Sequence, residues 1–260
     1  MSDSRDGARL VLVQIDDYGP WTTTPAPRRE TDLQALQARL FATAADFLGD
    51  RDGYAFASRY DNMIGVANAT DPDAFARLQE RVDNRFPVSV SVGVGTAPTP
   101  AAALDAAGGV LQDAGSAQSA QRTEVLDHRV VDDATPGELT VAHFDVVDAT
   151  GELTDRVSPA VADRTVRRAA LRLGELLRED HDGVTQFVGG DNVISVLPTV
   201  SRGALDDVLE RVLAETGVDL QVGVGHGRTA HAAGDGAKHA LERCRATGER
   251  MHGPWTAADD

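Results

Sequence analysis

Gln14-Ile15-Asp16-Asp17-Tyr18-Gly19-Pro20-Trp21 is the stretch from which the chain is read. Leu10 to Ile15 is an apolar run interrupted only by Gln14, the length of one buried strand. It stops on two carboxylates, and Gly-Pro then forces a turn. A strand that releases acids into a turn places hard oxygen ligands at the carboxyl edge of a sheet. Mg²⁺ is held in such places by one or two carboxylates together with substrate phosphates.

The arrangement recurs. Leu139 to Phe144 is a second strand-like run, ending on Asp145, and 145 − 16 = 129. Asp61 in Arg59-Tyr60-Asp61-Asn62 matches Asp191 in Gly189-Gly190-Asp191-Asn192, where 191 − 61 = 130. Val92-Gly93-Val94-Gly95 returns as Val222-Gly223-Val224-Gly225, and Thr99 as Thr229, both 130 positions later. Landmarks in register over this distance indicate an internal duplication.

Length agrees, since 260 residues correspond to about two ordinary domains. The net charge is −16, and Lys238 is the only lysine beside many arginines. So acidic a surface repels a phosphate backbone and argues against nucleic acid as a partner. Self-repulsion also opposes compactness unless salt screens it, which points to a salt-rich cytoplasm. Cys244, the only cysteine, excludes an intrachain disulfide and reads as a small core residue. No apolar run reaches membrane-spanning length, and the polar start Met1 to Gly7 lacks a signal-peptide core. The expectation is a soluble, cytoplasmic protein with no membrane partner.

Taken in order, the first half reads βαββαβα. Leu33, Leu36, Leu40, Ala44 and Phe47 give one helix with a single core face, opened by Thr31 and Gln34 at capping-box spacing. Tyr54 to Ser58 and Met63 to Ala67 flank the Arg-Tyr-Asp-Asn turn as a hairpin. Asp71-Pro72 and Thr99-Pro100 open the next helices around the strand Val88 to Val94. Gly115 to Gly137 is rich in Gln, Ser, Asp and Arg, and a short helix is expected within Thr123 to Val131. The expected domains are 1–118 and 138–260, with 119–137 as linker. In the second half Ser158-Pro159, Ser201 and Thr229 open the helices, and the order is again βαββαβα. This is an α+β chain of two tandem ferredoxin-like domains. The first strand is expected beside the second, bringing Asp16 to Asp61 and Asp145 to Asp191.

An Asp at a strand end is by itself a common turn residue, and Gly-Gly-Asp-Asn suits a hairpin tip. The same acid at matched places in both halves favours metal ligation, because paired carboxylates repel unless a cation sits between them. His143 shares a sheet face with Asp145 and is a candidate general base or a hydrogen-bonded structural residue.

Asp145 with Gly189-Gly190-Asp191 resembles the metal-binding acids of the palm domains of nucleotidyl and diguanylate cyclases. The closer resemblance is to the archaeal GTP cyclohydrolase III family. It is carried by Gln14 to Trp21 with Thr24-Pro25, Pro27-Arg28-Arg29-Glu30 and Asp32 to Gln37. Tyr60-Asp61-Asn62, Gly115 to Gln118, Glu124 to Asp127, Ala142-His143, Gly189 to Asn192 and Gly227 to Ala230 extend it along nearly the whole chain. One departure is Asp17, where the family pattern has Asn. The resemblance implies Mg²⁺-dependent opening of the imidazole ring of GTP with loss of two phosphates, early in flavin and deazaflavin biosynthesis. It implies two Mg²⁺ at Asp16, Asp61, Asp145 and Asp191, a monovalent cation such as K⁺, and a homo-oligomer. It places Gly19, Trp21, Asn62, Gly189, Gly190 and Asn192 at the substrate, with Arg28, Arg29 and Arg228 on phosphate oxygens. The rival readings are a nucleotidyl or diguanylate cyclase, and a non-catalytic nucleotide-sensing module on the same fold.

The charge balance yields a test of its own. The midpoint of thermal unfolding should rise from dilute buffer to molar KCl, because the screening length shrinks from ~30 Å to ~3 Å between 0.01 M and 1 M salt. Equal midpoints in the two buffers would contradict it.

Overall fold

The structure, a computed structural model, describes residues 6–149, 151 and 155–255. The polar start predicted for Met1 to Arg5 lies outside the described residues. The chain forms two compact units. The first is the described part of Met1–Pro98 with Ala102–Gly137, and the second is Thr99–Ala101 with the described part of Glu138–Asp260.

The first unit runs β1 (Asp6–Ile15), α1 (Tyr18–Thr23), α2 (Glu30–Gly49), β2 (Tyr54–Phe56) and β3 (Asn62–Val66). A 3-10 turn (Pro72–Phe75) leads into α3 (Ala76–Asp83), followed by β4 (Val90–Ala97), α4 (Pro100–Asp113), β5 (Leu126–Val130) and β6 (Thr135–Pro136). Its sheet has the order β2-β3-β1-β4-β5, with β6 pairing β1. Alternate residues Val11, Val13 and Ile15 face Leu36, Leu40, Phe47, Phe75 and Leu78 in one core. The other face of β1, carrying Gln14, is turned away from these helices, which leaves its polar groups free for a site.

The second unit repeats this with β7 (Leu139–Val146), α5 (Pro159–His181), β8 (Val184–Gly189), β9 (Asn192–Leu197), α6 (Arg202–Thr216), β10 (Leu220–Gly227), α7 (Ala230–Thr247) and β11 (Met251–His252). Its sheet order is β11-β10-β7-β9-β8. Both are the ferredoxin-like split arrangement, so the chain is α+β with two tandem ferredoxin-like domains.

Several expectations need correction. The first strand lies beside the third, antiparallel, and not beside the second, because the returning strand of the hairpin inserts between the two parallel strands. The end of β1 still lies beside the turn that carries Asp61, since Ile15 N donates to Asp61 O. Residues 119–137 are not a linker: β5 pairs β4 in parallel and β6 pairs β1, so the segment completes the first sheet. The short helix expected in Thr123 to Val131 is the strand β5. The open edge of β4 captures it, and the buried amide of Gln79 donates to Val125 O at 3.0 Å to hold its start. The capping box at Thr31 and Gln34 does not form, since α2 already begins at Glu30. Glu30 and Asp32 instead place acids in its first turn, against the helix dipole. Asp71, Ser201 and Thr229 do cap their helices through side-chain oxygens.

The repeated Val-Gly-Val-Gly has a packing cause. A Cβ on Gly95 would collide with the carbonyl of Ala103 in α4, and one on Gly225 with that of Ala233 in α7. The helix backbone lies directly on the strand at both places, and only glycine admits it. Gly95→Ala should therefore destabilise the protein by about 1–3 kcal/mol. Gly108→Ala, where an added Cβ meets nothing, should stabilise it by about 0.4–1 kcal/mol. Denaturant melts of the two variants check this, and equal stabilities would refute the close approach.

Candidate active site

At the carboxyl end of β1, Asp17 adopts the left-handed conformation with φ 47° and turns the chain into α1. Asp and Asn both tolerate that region, which is the physical content of the departure at position 17. The turn is tied down by Asp17 N donating to Ala117 O at 2.8 Å and Trp21 N donating to Asp17 O at 2.9 Å. Gly19 lies against the side chain of Gln118. Asp16 is 3 % exposed and accepts three hydrogen bonds: from Ser91 Oγ at 2.6 Å, Ser89 Oγ at 2.8 Å and Glu124 N at 2.9 Å. Asp61 is its neighbour on the adjacent strand end, since Ile15 N donates to Asp61 O at 3.1 Å. The Asp61 carboxylate accepts from Asn62 Nδ2 at 2.9 Å and pairs with Arg59 at 3.0 Å. That arginine is exposed, so the pair contributes little.

Arg28 stacks on the Trp21 ring at 3.8 Å and donates from Nε to Trp21 O at 2.8 Å. Trp21 in turn stacks on Tyr18, whose hydroxyl accepts from Gln37. Arg29 is exposed at the start of α2. Asp16, Gly19, Trp21, Arg28, Arg29, Asp61 and Asn62 thus gather around one edge of the first sheet.

The second unit gathers a different set. Asp145, 4 % exposed, accepts on Oδ2 from Gln221 Nε2 at 3.1 Å and from Arg245 Nε at 3.0 Å, and the same oxygen pairs with Arg245 Nη2 at 2.7 Å. Its Oδ1 is buried without a partner. Burial, then the adjacent charge of Asp145, pushes the Asp191 carboxyl above its usual range. Both acids line a cleft of about 590 Å³ with Asp148, Asp219 and Arg250. Gly189 and Gly190 supply the positive φ of the hairpin tip, 120° and 63°, that presents Asp191 and Asn192. Asn192 Oδ1 accepts from His143 Nε2 at 3.0 Å, and burial, more than any neighbour, pushes the His143 pKa down.

Strand register corrects the match between Asp16 and Asp145. Gly93 faces Leu12 while Gly223 faces His143, and 143 − 12 = 131, not 129. The hairpin strands agree: Met63 faces Val13, and Val193 faces Phe144. Asp145 therefore occupies the place of Gln14, opposite Gln221 as Gln14 is opposite Ser91. The place of Asp16 falls to Val147. Arg228 lies beyond the end of β10 opposite to Gln221, about 23 Å away at ~3.3 Å per residue, so it does not join these acids within its unit.

Four side chains of these sites were not legible beforehand. Arg122 is 3 % exposed beside Asp16, Arg245 is on Asp145, and Ser89 and Ser91 hold Asp16. Arg122 sits in a polar segment and Arg245 late in a charged helix, where one arginine is indistinguishable from its exposed neighbours. Among the described residues no group of three or more His, Cys, Asp or Glu side chains is arranged around a metal position. Two carboxylates suffice for Mg²⁺ when phosphates complete the shell. The orphaned Asp145 Oδ1 and the raised Asp191 fit a cation, as does the lone pair that Asp16 keeps beyond its three donors.

The model of the GTP cyclohydrolase III family matches residues 10–260. The chain belongs to that family. GTP cyclohydrolase III 2 of Halobacterium salinarum is 64% identical over 96% of this chain and 100% of its own length. GTP cyclohydrolase III of Halorubrum lacusprofundi is 51% identical over 92% of this chain and 93% of its own. That of Methanocaldococcus jannaschii is 40% identical over 91% and 88%. Among solved structures, the GGDEF domain of DgcB from Caulobacter crescentus covers 45% of this chain and 77% of its own at 16% identity, with a TM-score of 0.38. The family is one of enzymes, and no helix among the described residues is long and apolar enough to cross a membrane.

The raised Asp191 has a consequence for stability. A carboxyl whose folded pKa exceeds its unfolded value stabilises the fold below the unfolded pKa and loses that contribution as pH rises through the folded one. In metal-free buffer Asp191→Asn should melt higher than the wild type at pH 7. The gap should close as pH falls toward the carboxylate range near ~4. A lower melting temperature at pH 7 would contradict it.

Proposed function

We propose that the chain opens the imidazole ring of GTP and removes two phosphates, Mg²⁺-dependently, giving the formylaminopyrimidine ribosyl monophosphate that feeds flavin and deazaflavin synthesis. What carries this reading is the convergence of the family's N-terminal residues on one edge of the first unit: Asp16, Gly19, Trp21, Arg28 and Asp61. The relatives, each a GTP cyclohydrolase III, supply the substrate.

In this reading the nucleotide lies across the end of β1. Arg28, held by the face and the carbonyl of Trp21, is a cation already in place for phosphate oxygens. Arg29 adds a second at the mouth. Asp16 and Asp61 hold Mg²⁺, which supplies charge neutralisation of the triphosphate and polarisation of its phosphorus atoms. Ring opening consumes one water: its oxygen adds to C8, the C8–N9 bond breaks, and of its two protons one ends on N7 and the other on N9. Each phosphate lost consumes another. Asp145 and Asp191 form a second cation site, with Arg245 meeting part of their charge. His143 is neutral near pH 7 and acts there as a hydrogen-bonding partner of Asn192.

Asp16→Asn and Asp61→Asn should each lower GTP turnover by about 10²–10³-fold, since a positioned charge acts mostly on the transition state. Loss of purine absorbance, orthophosphate release and product mass measure it. Near-normal turnover in both variants would defeat the reading, and a cyclic nucleotide with pyrophosphate would replace it by a cyclase.

A further inference from the structure

Asn62 is 8 % exposed and its amide is engaged at both ends: Oδ1 accepts from Gln14 Nε2 at 2.8 Å, and Nδ2 donates to Asp61 Oδ1 at 2.9 Å. Gln14 Oε1 in turn accepts from Arg122 Nη1 at 2.7 Å. Four side chains thus form one chain, Arg122 to Gln14 to Asn62 to Asp61, with every donor pointing toward the carboxylate.

The direction has one source. An amide can present either end to a neighbour, but a guanidinium can only donate. Arg122 therefore forces Gln14 to present its oxygen, which leaves Nε2 to donate onward. Asn62 must then present its own oxygen and turn Nδ2 to Asp61. The remaining partner of Asp61, Arg59, is exposed and weak.

The cost of Arg122 supports a role beyond packing. Its Nε and Nη2 are buried without hydrogen-bond partners, and burial pushes its pKa down while Asp16 pulls it up. A buried cation with unpaired donors is costly. Such local conflicts collect at functional positions.

We propose that Arg122 is a positioning residue: through Gln14 and Asn62 it fixes the orientation in which the Asp61 carboxylate meets the metal. This rests on the reading of Asp61 as a Mg²⁺ ligand.

Gln14→Glu separates this from a structural role. It keeps the side-chain shape and gains an ion pair with Arg122, but removes the donor to Asn62. The metal-free melting temperature should hold or rise. The rise in melting temperature on adding Mg²⁺ should shrink, and the Mg²⁺ concentration for half-maximal GTP turnover should increase about 10–100-fold, as for lost outer-shell partners of metal ligands. If Gln14→Glu fails to fold, Arg122→Lys and Arg122→Gln decide. Lysine, which only donates, should keep the Mg²⁺ response, and glutamine should lose it. Wild-type Mg²⁺ dependence in Gln14→Glu, or equal responses in the two Arg122 variants, would overturn the proposal alone. A wild type indifferent to Mg²⁺ in both melting and turnover would overturn it together with the metal reading.

Discussion

The buried carboxylate of Asp16 is the constraint on which the first unit depends. A carboxylate so far from water costs several kcal/mol unless hydrogen bonds replace the lost hydration. Here the replacements come from two places, the hydroxyls of Ser89 and Ser91 at the start of β4, and the amide of Glu124 leading into β5. Satisfying Asp16 therefore brings residues 115–125 over the end of β1. The same contact delivers Ala117 to Asp17, Gln118 to Gly19 and Arg122 to Gln14. A segment with the composition of a linker becomes a wall of the site because an acid needs its backbone.

The duplicated fold does not duplicate the site. In both units a helix backbone rests on Val-Gly-Val-Gly, and in both an asparagine amide donates to the hairpin acid at 2.9 Å. Along equivalently paired first strands the acids fall one pleat pair apart, so the second unit carries its acid where the first carries Gln14. That acid meets an arginine from a helix, whereas Gln14 meets one from a loop. The first unit retains a turn with a left-handed Asp17 and a prepositioned Arg28, and the second retains a cleft lined by two adjacent acids. The proposed division of labour, nucleotide in the first unit and a cation in the second, follows from that difference.

Much of this was legible in the sequence, and the failures have physical causes. The strands, the major helices and the duplication were readable because apolar period and glycine spacing are local signals. Asp71, Ser201 and Thr229 announced their helices because a cap is made within three residues. The neighbour of β1, the strand inside 119–137 and the register of β7 were not readable, since each is decided by pairing between residues far apart. Spacing alone aligned Asp145 with Asp16, and only the hydrogen-bond ladder places it on Gln14. Nothing in Tyr-Asp-Asn reveals that the Asn62 amide links Gln14 to Asp61. Arg122 carried no signal at all, as its importance lies in being buried.

The most direct test of the account is the location of the metal in crystals grown with a non-hydrolysable GTP analogue and Mn²⁺, read from anomalous density. The expected result is a peak between Asp16 and Asp61, with the triphosphate along the turn from Asp17 to Gly19 and reaching Arg28. Density confined to Asp145 and Asp191, with Asp16 still closed in by Ser89, Ser91 and Glu124 and no nucleotide beside it, would contradict the account.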